Sequence, residues 1–244
     1  MKKNLSVLML AARTSIYHIA AIMAVMAAAE SALLYYNLEK IRSGSVIYSI
    51  SEMFASAKVP LIFGTAFLFV CFILAATGCE FLGSRVRYTI QRLSVKEPVT
   101  VHLWAVYNAA VLFVLWALQI AIAFGFSKLY MQYMSPEYTS GMSIFIAFAD
   151  DGFLHSLLPV FETTRYVRNV VLILALGETI AVFSYKMRRD VRDFNLILLA
   201  AIAIVGFKGQ TGAFTNDMLV IILSLIISGA SAYCVFRRRD ENEA

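Results

Sequence analysis

The chain has 244 residues, of which 60% are hydrophobic and only 15% charged, with a net charge of +5. A soluble domain is nearer 45–50% apolar and about 25% charged, so a soluble helical bundle of this length would leave too much apolar surface uncovered. The mean hydropathy of +0.74 points to lipid as the solvent, and the excess of Lys and Arg then reflects loops beside anionic headgroups, not a nucleic-acid surface.

A bilayer core of about 30 Å needs about 20 helical residues. Six apolar runs read as spans in an all-α, polytopic membrane protein with a single transmembrane domain. Ile16–Tyr36 comes first. It contains the small-residue stretch "AVMAAAES", which resembles a signal cleavage site, but its apolar core is too long for a signal and five further runs follow, so we read it as an uncleaved span. Pro60–Leu82 is the second run and Ala105–Phe126 the third. Between them lies a basic segment, "GSRVRYTIQRLSVKEPVTVHLW". There Val86, Ile90 and Leu93 are spaced for one face of a short helix, with Arg85, Arg87 and Arg92 off that stripe. Ser94–Glu97 has the pattern of a capping box, and Pro98 then falls in the first turn of the next helix. An ordinary juxtamembrane loop would carry the same charge, so both readings stay open here.

"MSIFIAFADDGFLHSLLPVF", Met142–Phe161, is apolar at both ends with Asp150 and Asp151 at its centre. Each Asp at a helix centre costs about 2.5–3.5 kcal/mol on insertion. The segment therefore reads as one interfacial helix on the outer side, with Phe153, Leu154, Leu157 and Leu158 facing lipid or the bundle. Asp151 and His155 are spaced i, i+4 with Glu162 nearby, too few ligands for a metal site. Arg165 and Arg168 follow, placed to pair with these Asp residues or with lipid phosphates. Val170–Tyr185 is the fourth run, Phe194–Phe207 the fifth and Met218–Phe236 the sixth. The fifth has fourteen residues, about 21 Å, and either extends back through Val191 or is re-entrant.

Charge counting orients the chain. With six spans and the amino terminus inside, the cytoplasmic segments hold 14 basic residues: Lys2, Lys3 and Arg13; Arg85, Arg87, Arg92 and Lys96; Lys186, Arg188, Arg189 and Arg192; Arg237, Arg238 and Arg239. The outer segments hold 7: Lys40, Arg42, Lys58, Lys128, Arg165, Arg168 and Lys208. Were Met142–Phe161 to span, the count would become 10 inside and 11 outside, so the positive-inside rule favours six spans with both termini cytoplasmic.

Intramembrane carboxylates are costly and suggest function. Glu178 lies near the middle of the fourth span, Glu30 in the outer half of the first and Gln119 in the outer half of the third, with Asn108 and His18 nearer the cytoplasm. We expect Glu178, Glu30 and Gln119 to share one layer facing the bundle interior, either as a substrate-contacting or proton-sensitive cluster or as structural hydrogen-bonding groups. Cys71, Cys79 and Cys234 have neither zinc nor disulfide spacing and read as small apolar residues. No P-loop, H-E-x-x-H or G-x-S-x-G pattern occurs, and "GFKGQTG" at Gly206–Gly212 lacks the Lys-Ser/Thr ending. We expect no enzymatic activity, cofactor or metal in this chain.

The six-span topology with a basic segment between the second and third spans resembles the transmembrane subunits of type 2 ABC exporters. "GSRVRYTIQRLSVKE…VYN" with "FLHSLLPV…RYVRNVVLILALG" also resembles permease-like membrane proteins of Firmicutes, often encoded beside ABC ATPases. The topological likeness covers the whole chain and the local one about a quarter of it. It implies a bacterial cytoplasmic-membrane location, a coupling helix at Gly83–Leu93 that meets a separate ATPase through Arg85, Arg87, Tyr88 and Arg92, and a homodimer or a heterodimer with another permease. It also implies that the spans line a path or lateral cleft for a lipid, peptide or other amphipathic substrate. The chain departs from that family in its short loop between spans five and six and in carrying its outer helix between spans three and four. A membrane scaffold or assembly protein without its own transport path is the alternative.

Overall fold

A computed structural model describes residues 2–44, 49–77, 79, 97–134, 142–159, 162–189, 191, 193–208 and 214–243. Among these there are nine helices and no strand: α1 (Lys2–Arg42), α2 (Ile50–Ser56), α3 (Val59–Thr77), α4 (Glu97–Tyr133), α5 (Ser143–Asp150), α6 (Gly152–Leu157), α7 (Thr163–Met187), α8 (Asn195–Lys208) and α9 (Phe214–Glu243). Five of them, α1, α3, α4, α7 and α9, are long and apolar enough to cross a membrane. The α8 helix is equally apolar but only 14 residues long. The chain is thus a multi-pass helical membrane protein.

The long helices outrun the apolar stretches read from sequence. At 41 residues α1 is about 60 Å long, twice the hydrocarbon thickness. Its extra length on the amino-terminal side follows from a stripe of small and apolar residues, Val7, Ala11, Ser15 and Ile19, spaced by four and all buried. That stripe packs on α4, where Trp104 Nε1 donates to the Val7 carbonyl at 3.4 Å and Ser15 Oγ meets Tyr107 Oη at 2.8 Å. At the far ends of the same two helices Arg42 lies over the Tyr133 ring. The α1 and α4 helices therefore run parallel.

Further cross-links set the remaining directions. Ser184 of α7 donates to the Ala75 carbonyl near the end of α3 at 2.9 Å, so these two helices finish together. Arg189, just beyond α7, pairs with Glu97 at the start of α4, and Trp116 packs on Tyr166, so α7 is antiparallel to α4. Asn195 at the start of α8 bonds Ser231 late in α9, whereas Phe207 at the end of α8 packs on Phe63 near the start of α3. The α8 helix thus begins near the end of α7 and finishes near the start of α3. It does not extend back through Val191, which is not helical, because the Asp193 carboxylate already accepts from the Asn195 amide. In chain order α1, α3, α4, α7, α8 and α9 alternate in direction.

The segment expected to form one interfacial helix is two. The chain breaks at Asp151, whose extended backbone (φ −79°, ψ 122°) lets its carboxylate accept from the Leu154 amide at 2.8 Å and cap α6. A side chain that competes this well for backbone amides starts a new helix instead of continuing the old one. Phe148, Phe153, Leu154 and Leu157 are buried in the main core, while Leu158 is half-buried. The apolar face of this pair therefore plugs one end of the bundle, and Trp116 Nε1 donates to the Leu157 carbonyl at 3.1 Å.

A capping box is present where the sequence reading did not place one. Ser49 and Glu52 exchange side-chain-to-backbone bonds at the start of α2, and these bonds hold the Glu52 carboxyl below its ordinary value. Of the box expected at Ser94–Glu97, Ser94 lies outside the described residues; Pro98 does sit in the first turn of α4.

Candidate functional site

The bundle end that carries α6 and the start of α9 holds the strongest electrostatic feature. Arg168 donates to Asp217 at 2.7 Å, and Arg165 Nε lies 3.5 Å from the other Asp217 oxygen and 3.1 Å from Glu162. Arg165, Arg168, Asn169 and Asp217 are all buried. The Arg168 guanidinium also donates twice to the Asn169 amide oxygen, at 3.0 and 3.2 Å. The Asn169 amide nitrogen donates to the Ser156 carbonyl of α6 at 2.7 Å. Glu162, half-exposed, meets His155 Nε2 at 3.5 Å, and His155 Nδ1 contacts the Phe148 carbonyl at 3.2 Å. Two buried cations thus face one buried and one partly open carboxylate, a balanced network that ties α6, α7 and α9 together.

These arginines were expected to meet Asp150 or Asp151, or lipid. Instead Asp150 is exposed and Asp151 is occupied as a helix cap, where burial raises its carboxyl against the effect of those amide bonds. Asp217 was missed. Its signal was available: an acid in the first turn of an apolar helix sits well against the helix dipole, but nothing local to "FTND" announces its burial. No cluster of three or more His, Cys, Asp or Glu suited to a metal occurs among the described residues.

The three intramembrane polar candidates fall on two levels. Glu30 and Gln119 are each fully buried between α1 and α4. Gln119 is the side-chain partner nearest the Glu30 carboxylate, although the geometry falls short of a formed hydrogen bond. Glu178 sits elsewhere. Asn108 Nδ2 donates to the Gly177 carbonyl at 3.3 Å, which fixes the register of α4 against α7. Gln119 lies eleven residues beyond Asn108, about 16 Å along the helix, so Glu178 and Glu30 do not share a layer. Glu178 accepts a hydrogen bond from Ser228 of α9, and beside it a cavity of about 40 Å³, enough for a water, is lined by His102 and Val182 among others. His18 is exposed on the outside of α1.

Gly177 makes this register possible. A Cβ there would come within 2.8 Å of the Ala105 carbonyl and of Ala109, so α4 and α7 cross on small residues.

At the opposite end one ion pair is open to solvent and another is largely buried. Arg189 pairs with Glu97, and Lys186 with Asp193 at 2.9 Å. Arg188 lies over the Trp104 ring, and burial lowers its guanidinium pKa against the pull of Glu97. Cys79 Sγ donates to the Ala75 carbonyl at 3.4 Å, the same carbonyl that accepts from Ser184 of α7. The predicted ATPase contacts Arg85, Arg87, Tyr88 and Arg92 lie outside the described residues, as does the rest of Gly83–Leu93. The residues that flank that stretch, Cys79 and Glu97, both lie against the end of α7. Cys71 and Cys79 are buried free thiols, as their apolar surroundings suggested.

No family model, curated protein or solved structure matches the chain.

Proposed function

We propose that this protein is the membrane-spanning subunit of an ATP-driven exporter, working with a separate ATPase in a bacterial cytoplasmic membrane and pairing with itself or another permease. In this reading α8 is the fifth of six spans, both termini are cytoplasmic, and α5–α6 lies at the outer face. The cargo is a lipid, peptide or other amphipathic molecule.

One observation carries the reading. The described residues on either side of the basic stretch both meet the end of α7: Glu97 pairs with Arg189, and the Ala75 carbonyl, which accepts from Cys79 Sγ, also accepts from Ser184 of α7. A push on such a segment from a cytoplasmic partner would be delivered to α7, and from there through Gly177 and the Glu178–Ser228 bond to α4 and α9. The alternating helix directions and the 14-to-7 distribution of basic residues are consistent with it.

Affinity purification in mild detergent tests the proposal. We expect an ATPase to co-purify with the wild-type chain and to be lost when Arg85, Arg87 and Arg92 are all changed to Glu. An ATPase that remains bound to that variant would remove the coupling role, and a complex without any ATPase would favour the scaffold reading.

A further inference from the structure

A lateral groove of about 490 Å³ opens on the bundle surface between α3 and α8 at the Asp217 end, a size within the range of about 300–1,000 Å³ typical of small-molecule sites. Its walls are aromatic. Phe63 packs edge-on against Phe153 of α6 and Phe207 of α8, each at 5.9 Å, and Phe67 also approaches Phe207. The hydroxyl of Thr65 at the rim donates its proton to the Ile62 carbonyl at 2.8 Å and has none left for a phosphate.

Two features separate this groove from an ordinary crevice between helices. Gly64 lies in the wall, in the interior of α3, where glycine costs about 1 kcal/mol relative to alanine. Packing does not demand it, since a Cβ at Gly64 would meet nothing within 4 Å, in contrast to Gly177. What the glycine provides is open depth. The second feature is Lys58 at the mouth, the only charged residue lining the groove among the described residues. Its side chain is exposed and forms no ion pair among the described residues. It stands directly before the amino terminus of α3, where the helix dipole adds to its positive potential.

We propose that this groove is a binding site for an anionic phospholipid, with an acyl chain along Phe63, Phe67 and Phe207 and the phosphate against Lys58 and the start of α3. An apolar trough whose described lining carries one cation at its mouth and no acid matches a lipid of net negative charge better than a zwitterionic one. The site needs the membrane setting of the chain but holds with or without a partner ATPase.

Native mass spectrometry of the full chain, released from detergent after incubation with equimolar phosphatidylglycerol and phosphatidylcholine, tests it. The wild type should retain phosphatidylglycerol at least tenfold over phosphatidylcholine. Gly64→Leu, which fills open space, should lose retention of both while keeping the wild-type melting temperature, and Gly64→Ala serves as the folding control. Lys58→Glu should bring phosphatidylglycerol down to the phosphatidylcholine level, and Lys58→Arg should restore it. Unchanged retention in Gly64→Leu, equal retention of the two lipids by the wild type, or no retained lipid would overturn the proposal. So would a dimer that Gly64→Leu dissociates, since a second copy would then be the occupant.

Discussion

Two charge pairings at opposite ends of the bundle use the same chemistry under opposite conditions. At one end Arg165 and Arg168 face Asp217 with almost no solvent, and each group depends on the others for neutralisation. At the other end Arg189 and Glu97 pair in the open, with side chains 33% and 51% exposed, where water screens what the pair gains. The difference teaches that a salt bridge here is a clamp only where lipid and protein exclude water. The surface pair positions the roots of the basic segment and contributes little to holding the fold.

Changes at three places probe that contrast. Asp217→Ala takes from the buried Arg168 guanidinium its carboxylate and leaves Arg165 to Glu162, and is expected to cost about 3–5 kcal/mol of unfolding free energy in detergent. Asp217→Glu should recover part of that, and a loss below about 1 kcal/mol for the Ala variant would place both ends on the same footing. Gly177→Ala acts between the ends. Its new methyl meets backbone at 2.8 Å, so we expect a loss of about 1–3 kcal/mol and reduced cross-linking between engineered cysteines on α4 and α7. An unaltered melting temperature would mean that the α4–α7 crossing has slack. Smallest of all, a double-mutant cycle on Glu97 and Arg189 should return a coupling of about 0.2–1 kcal/mol that fades as salt is raised. A salt-independent coupling above about 2 kcal/mol would show that this pair is as shielded as the Asp217 network.

How much of this was legible beforehand depended on how far apart the interacting residues lie. The apolar runs were readable because hydropathy sums over neighbours, and α3, α4, α7 and α9 contain the stretches expected of them, apart from the last residues of the second run, which lie outside the described set. The extension of α1 to Lys2 was not anticipated, since Val7, Ala11 and Ser15 form a weak stripe until α4 is there to cover it. The division of Met142–Phe161 was hidden in Asp151, which was weighed as a charge to be inserted and not as a cap. Glu30 and Gln119 are both buried, but Glu178 lies at another level, because depth in a span says nothing about register between spans.

By itself the sequence determined that lipid surrounds this chain, that helices fill it, and that its basic residues are distributed unevenly among its loops. These properties follow from composition and from periodicity along one helix. Only the tertiary structure decided that Asp217, forty-nine residues from Arg168, is its partner, that Gly177 is a contact while Gly64 is a space, and that Glu178 answers to Ser228. Each of those outcomes depends on how one helix is rotated and shifted against another. That is a balance of packing across the whole bundle, and no local stretch of residues encodes it.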